Sequence, residues 1–328
     1  MTPFAAALLE IPYPWLDPVA LDLPGPIDLR WYGLSYLAAF GVGYLILKWL
    51  ARERFLRLDQ EQVGDLLVAL IVGVFLGGRV GYILFYDFSS FAANPIRIFK
   101  VWEGGMSFHG GFIGVILAAV WFVRTRRASF LELGDSVVLA TPLGIFFVRC
   151  ANFINGELYG RVTDQSVPWA MRFPTDPVAL RLLGADRADS MRGREQIISQ
   201  AYESGSWQAV RDQVPLRHPS QLYQGLTEGL LVAVILWLFF WWTRKRGWRP
   251  PHGTFGALFL LLYGSFRLVT ENFRQPDAQF RGPGDPLGAV LGPLTMGQVL
   301  SALMLLGGIG LLVWLWRRAA TLRAPGPG

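Results

Sequence analysis

Three arginines stand inside apolar stretches: Arg79 in "VFLGGRVGYILFY", Arg149 in "PLGIFFVRCANFINGELYGR" and Arg267 in "LLLYGSFRLVTENFR". A guanidinium near the centre of a membrane span costs roughly 2.5–3.5 kcal/mol on insertion scales, and less toward the interface. One reading of each is snorkelling, with the stem in lipid and the head at the headgroups. Taken together with Glu157 and Glu271, the three read better as parts of a shared anion-binding cavity. A guanidinium stays charged and offers two parallel donors, which suits phosphate. At membrane depth the abundant phosphate is a phospholipid headgroup.

Other residues gather at the same level. Asn152, Asn155 and Glu157 follow Arg149 within nine positions, and Tyr32 opens an apolar run of its own. Arg267 and Glu271 are four apart and share a helix face, with Tyr263 one turn earlier. That pair is open to both a structural and a functional reading. His109 stands at a helix start before Gly110 and Gly111. Two glycines there remove bulk beside the imidazole and would admit a substrate. An imidazole titrates near pH ~6.5, so His109 is the natural proton acceptor of an arginine-rich site, or else it shapes the pocket. His218 in "RHPSQLY" reads as a loop or capping residue, and His252 after "RPP" as inert.

Positioning these residues requires a membrane bundle. Of 328 residues, 52% are hydrophobic and only 16% charged, against about 25% charged in soluble domains. Apolar runs at about 31–50, 64–86, 109–124, 133–153, 225–243, 254–272 and 294–316 predict seven spans of near the ~20 residues a helix needs. Gly73, Gly77 and Gly81, like Gly110 and Gly114, recur every four residues, as in helices packed backbone to backbone. The expected fold is therefore an all-α polytopic membrane protein, a single integral membrane domain over 1–328. A polar, partly helical insertion at 154–224 interrupts it.

Sidedness follows from the basic residues. Lys48, Arg52, Arg54, Arg57, Arg124, Arg126, Arg127, Arg244, Lys245, Arg246, Arg249, Arg317, Arg318 and Arg323 make 14 on one side. Arg30, Arg97, Lys100, Arg274 and Arg281 make 5 on the other. By the positive-inside rule the N-terminus is outside and the C-terminus cytoplasmic. The polar residues from six different spans then all fall at the outer face. The net charge of +6 belongs to this topology and not to nucleic acid. The start, "MTPFAAALLEIPYPW", lacks a basic region and reads as an interfacial arm with Tyr13 and Trp15 at headgroup level. The sole cysteine, Cys150, forms no intramolecular disulfide and reads as a packing residue.

Five blocks, "GGRVGYILFY" (77–86), "GGMSFHGGFIG" (104–114), "RCANFINGELYGR" (149–161), "HPSQLY" (218–223) and "ENFRQPD" (271–277), resemble the bacterial phosphatidylglycerol–prolipoprotein diacylglyceryl transferases, in the family's order. The resemblance implies a seven-span enzyme of the bacterial inner membrane, with a periplasmic N-terminus and an active site facing the periplasm. It implies transfer of the diacylglyceryl group of phosphatidylglycerol to the lipobox cysteine of a prolipoprotein, without metal or organic cofactor. The residues it implicates are Tyr32, His109, Arg149, Asn152, Glu157, Gly160, Tyr263, Arg267 and Glu271; Asn155 joins them by position. Arg149 and Arg267 would hold the phosphate and His109 would take the thiol proton. The chain departs from the family pattern at Val148 and Ala151, where glycine is usual, and at Gln224, where an acid commonly follows "HPSQLY". A transporter would instead show internal repeats and a midplane site, and a lipid-binding scaffold would share the pocket without the chemistry.

Overall fold

The computed structural model describes residues 11–23, 28–99, 105–276 and 288–321. Gly104, Lys100, Asp277, Arg281, Arg323 and the first ten residues, which entered the reading above, lie outside the described residues. The chain is mostly helical. A short ribbon, β1 (Val19–Leu21) against β2 (Leu29–Arg30), precedes α1 (Trp31–Arg52). Then come α2 (Gln60–Tyr86), α3 (Phe108–Arg126), α4 (Phe130–Val138) and α5 (Thr141–Ile154). The segment after α5 carries the short helices α6 (Pro177–Leu183) and α7 (Met191–Glu203). A long helix, α8 (Ser220–Lys245), is followed by α9 (Thr254–Thr270). A second ribbon, β3 (Ala289–Leu291) with β4 (Leu294–Thr295), leads into α10 (Met296–Thr321). The two ribbons were not expected of an all-α chain; each is a few residues of backbone pairing beside a helix start.

By length and apolarity α1, α2, α8 and α10 can each cross a bilayer, and α4 with α5 makes a fifth if the pair is one span. The chain is thus a polytopic membrane protein. The expected single helix over 133–153 is broken between Val138 and Thr141. Pro142 explains the break, because proline lacks the N–H that a helix interior needs and is tolerated in a first turn. α9 is a shorter apolar helix of 17 residues.

Two compact units emerge from the contacts. The second comprises 40–140 and 250–256. Its frame is the α2–α3 pair, built on glycine. A Cβ on Gly114 would lie 2.0 Å from the Gly73 carbonyl oxygen, and one on Gly77 would lie 2.4 Å from that of Gly110. Asp59 caps α2 through a capping box with Gln62, and Ser107 caps α3 by accepting from Gly110 N at 3.2 Å. Buried Asp135 accepts from Gly253 N at 2.7 Å and Gly256 N at 2.9 Å, capping the start of α9. His252, expected to be inert, sits 3.7 Å from the Glu132 carboxylate.

The first unit comprises 1–39, 141–249 and 257–328. α9 and α10 meet at Gly264 and Gly308, where a Cβ would reach 3.2 Å from Leu305 and 2.9 Å from Leu261. The insertion folds around Ala179, Ala201, Trp207 and Val214. Ion pairs fix it to the ribbon: Arg30 with Glu195, and Arg192 with Asp28 at 2.6 Å and Asp22 at 2.8 Å. The Arg192 guanidinium holds the Asp22 carboxyl below the usual carboxylate range. Tyr13, expected in an interfacial arm, is covered by protein. It is buried among Phe153, Met171 and Phe173, and its hydroxyl donates to the carbonyls of Phe153 at 2.6 Å and Ile154 at 3.0 Å. Those carbonyls belong to the last turn of α5, and that of Phe153 also accepts from Gly156 N at 2.9 Å, so the arm helps cap the helix that carries Arg149.

Candidate active site

Arg149 and Asn152 are three residues apart and therefore share one face of α5. Arg149 Nη1 donates to Asn152 Oδ1 at 3.2 Å, and Asn152 Nδ2 donates to Glu157 Oε1 at 2.8 Å. Asn155 Nδ2 reaches the same oxygen at 3.5 Å. Glu157 returns to the helix because the turn has two left-handed residues around it, Gly156 at φ 63° and Leu158 at φ 56°. A leucine there is strained, and such strain persists only where its surroundings fix it. The "HPSQLY" block does so: Gln221 Nε2 donates to the Glu157 carbonyl at 2.7 Å and Ser220 Oγ to that of Leu158 at 2.9 Å.

α9 brings a second set. Arg267 Nη2 pairs with Glu271 Oε2 at 2.8 Å, and Thr295 Oγ1 donates to Glu271 Oε1 at 3.1 Å. Gly297, in the first turn of α10, has no room for a side chain: a Cβ would lie 2.5 Å from the Glu271 carboxyl carbon. The other arm of Arg267, Nη1, is 3.6 Å from Glu228 Oε1. Glu228 is fully buried, and Tyr263 and Arg149 lie within its electrostatic range as well. Arg149 is also within electrostatic range of Arg267 and Arg274, and Tyr32 of Arg149 and Glu157. One polar cluster thus contains Tyr32, Arg149, Asn152, Asn155, Glu157, Tyr263, Arg267 and Glu271.

Gly160 serves the backbone. Its N–H donates to the His218 carbonyl at 2.8 Å, it bridges to Arg274, and a Cβ would lie 2.3 Å from the Phe273 carbonyl. Beside it Arg217 pairs with buried Asp176 at 2.6 Å. His218 Nδ1 meets the Tyr223 hydroxyl at 3.1 Å, and Trp169 Nε1 donates to that hydroxyl at 2.6 Å. Burial pushes His218 below the usual imidazole range.

Two residues are placed otherwise than the sequence suggested. Arg79 belongs to the second unit and is committed to structure there. It donates to the carbonyls of Ile98 at 3.0 Å and Gly105 at 3.1 Å and covers the Phe91 ring. His109 is exposed in the same unit, and the space its two glycines leave is turned toward a neighbouring helix. A Cβ on Gly110 would lie 2.3 Å from the Gly77 carbonyl, and one on Gly111 would lie 3.4 Å from that of Val74, so both face α2.

Sequence reasoning missed Glu228, a carboxylate alone in the apolar run "GLTEGLLVAVILWLFF", as well as Thr270 and Thr295, which donate to the buried carboxylates. Ala151, one of the departures, is buried, and Gln224 is fully enclosed.

Fold and site together define a polytopic membrane protein with a buried network of arginines and carboxylates at the ends of apolar helices. The model of the prolipoprotein diacylglyceryl transferase family matches residues 18–314, and the chain belongs to that family. It is 44% identical over 314 residues to the phosphatidylglycerol–prolipoprotein diacylglyceryl transferase of Yersinia enterocolitica, covering 94% of this chain and 96% of the relative. The protein of the same name from Sodalis glossinidius is 43% identical over 312 residues, covering 93% of this chain and 95% of its own. That from Yersinia pestis strain Pestoides F is 42% identical over 313 residues, covering 93% and 96%.

Proposed function

We propose that the chain transfers the diacylglyceryl group of phosphatidylglycerol to the lipobox cysteine of a prolipoprotein, forming a thioether and releasing glycerol phosphate. The enzyme is read as a single seven-span domain of the bacterial inner membrane. Its N-terminus and the 154–224 insertion are periplasmic and its C-terminus cytoplasmic. The observation that carries the reading is Arg149: among the described residues its guanidinium spends one hydrogen bond, on Asn152, and keeps the rest of its donors for a ligand.

The chemistry is displacement at a glyceryl CH₂ carbon. The substrate thiolate attacks, the bond from that carbon to the phosphate oxygen breaks, and the phosphodiester monoanion leaves as a phosphate monoester dianion. Arg149 and Arg267 bind this group more strongly as its charge grows, which is where preorganised donors contribute most. Asn152, with Glu157 behind it, aims Arg149; Glu271, with Thr295 behind it, aims Arg267. Tyr32, Asn155 and Tyr263 complete the phosphatidylglycerol site, and Gly160 keeps its rim closed.

A free thiol has pKa ~8.5, so only a few per cent is thiolate at neutral pH. His109 takes that proton, a contribution of about 10²–10⁴ in rate. A base must be neutral to accept a proton, so a rate that depends on one falls on the acid side. His109→Gln should lower turnover and abolish that acidic limb of the pH–rate profile; full turnover with the limb unchanged would leave His109 only shaping the pocket. The reading as a whole is tested with purified protein, phosphatidylglycerol vesicles and a lipobox peptide. Mass spectrometry should find the diacylglyceryl mass on the cysteine, and its absence would leave a lipid-binding scaffold.

A further inference from the structure

We infer that Glu228 is a positioning residue of the transfer reaction: the shared counter-charge that holds the two phosphate-binding guanidiniums side by side. The inference rests on the transferase reading above. Two cations in one buried site repel each other, and Arg149 and Arg267 lie within electrostatic range. Glu228 is fully enclosed and interacts with both.

Local structure puts it there. Residues Gly225–Leu231 of α8 form a π-helical segment, an uncommon geometry that recurs at functional sites. Its two glycines, four residues apart, press on α5. A Cβ on Gly229 would lie 2.9 Å from Phe146 backbone N, and one on Gly225 would lie 3.2 Å from Arg149 Cβ. Between those contacts Glu228 meets the α9 residues Thr270, which donates to Oε1, and Arg267. The arrangement is incomplete in a telling way. Arg267 Nη1 and Glu228 Oε2 are buried and complete no hydrogen bond, and the 3.6 Å between Nη1 and Oε1 exceeds hydrogen-bond length. Leaving buried charged donors unmet is costly. Nη1 is therefore a charged donor that Glu228 holds at ion-pair distance, and a phosphate oxygen would complete its hydrogen bonding.

The test compares wild type, Glu228→Gln and Glu228→Asp as full-length protein in phosphatidylglycerol vesicles. It measures kcat and KM per folded molecule, with the folded fraction taken from size exclusion and thermal unfolding. Glu228→Gln keeps the shape and the acceptor for Thr270 but loses the charge. It should lower kcat about 10²-fold, the scale expected when a reacting group is misplaced, with KM for phosphatidylglycerol little changed. Glu228→Asp should recover part of the loss. Wild-type kcat in folded Glu228→Gln would overturn the inference. Should that variant not fold, Thr270→Val decides: it removes the hydroxyl that anchors the same oxygen, and reduced kcat supports the role while wild-type kcat overturns it. No adduct from the wild-type enzyme would instead overturn the transferase reading.

Discussion

Arg149→Gln is expected to lower kcat about 10²–10³-fold, the effect of losing one preorganised donor from a site where negative charge develops, and to leave the protein folded. The two arginines differ here for a physical reason. Arg149 is half-buried and gives one hydrogen bond to a neutral amide, and the carboxylate in its range, Glu228, keeps Arg267 as its ion-pair partner when glutamine replaces Arg149. Arg267 sits between Glu271 at 2.8 Å and Glu228 at 3.6 Å. Removing its charge leaves two enclosed carboxylates without their cation. Breaking a buried pair in this way costs about 3–5 kcal/mol. Arg267→Gln should therefore lose both turnover and thermal stability. Lysine at 149 keeps the charge but not the fork, and should recover only part of the activity. Steady-state kinetics beside a thermal melt of each variant separates the effects, and equal kcat for wild type and Arg149→Gln would remove Arg149 from the mechanism.

The second large effect is expected at Gly114→Val. Its Cβ would fall 2.0 Å from the Gly73 carbonyl oxygen and 2.9 Å from the Gly77 Cα, and backbone has nowhere to move unless α2 and α3 separate. Overpacking costs typically ~1–3 kcal/mol where side chains can adjust, and here backbone opposes backbone, so the upper end or beyond is expected. Thermal unfolding in detergent should show a strongly lowered midpoint. Gly64→Ala on the same helix α2 is the control, because nothing lies within 4 Å of its Cβ, and it should be neutral or slightly stabilising. Similar melts for the two variants would contradict the account of the helix pair.

Those glycines show what the sequence makes legible. A four-residue repeat of small residues on two apolar helices admits few meanings, and α2 and α3 pack through it. The run from Arg149 to Glu157 was legible for the same reason: its polar residues fall at helix spacings and join into one hydrogen-bonded chain. Other features depend on three-dimensional registers that a linear pattern does not carry. Glu228 is turned among Thr270, Arg267, Tyr263 and Arg149 by a π-helical segment, and no apolar periodicity announces one. Arg79 looked like its two counterparts, yet the carbonyls of Ile98 and Gly105 are what it serves. Gly110 and Gly111 removed bulk as anticipated, but the space went to a neighbouring helix. Tyr13 looked interfacial because its neighbours are apolar, whereas its hydroxyl is needed at the end of α5.

The central claim is a coupled event in which one thioether forms as one glycerol phosphate leaves. The direct measurement uses vesicles whose phosphatidylglycerol is labelled in the glycerol headgroup, with the reconstituted protein and a lipobox peptide, counting both products in the same sample. The account predicts released glycerol phosphate and lipidated cysteine in equal amounts, both absent when the peptide cysteine is replaced by serine. Headgroup release that continues without a thiol, or phosphatidylglycerol left intact in the presence of the peptide, would contradict it.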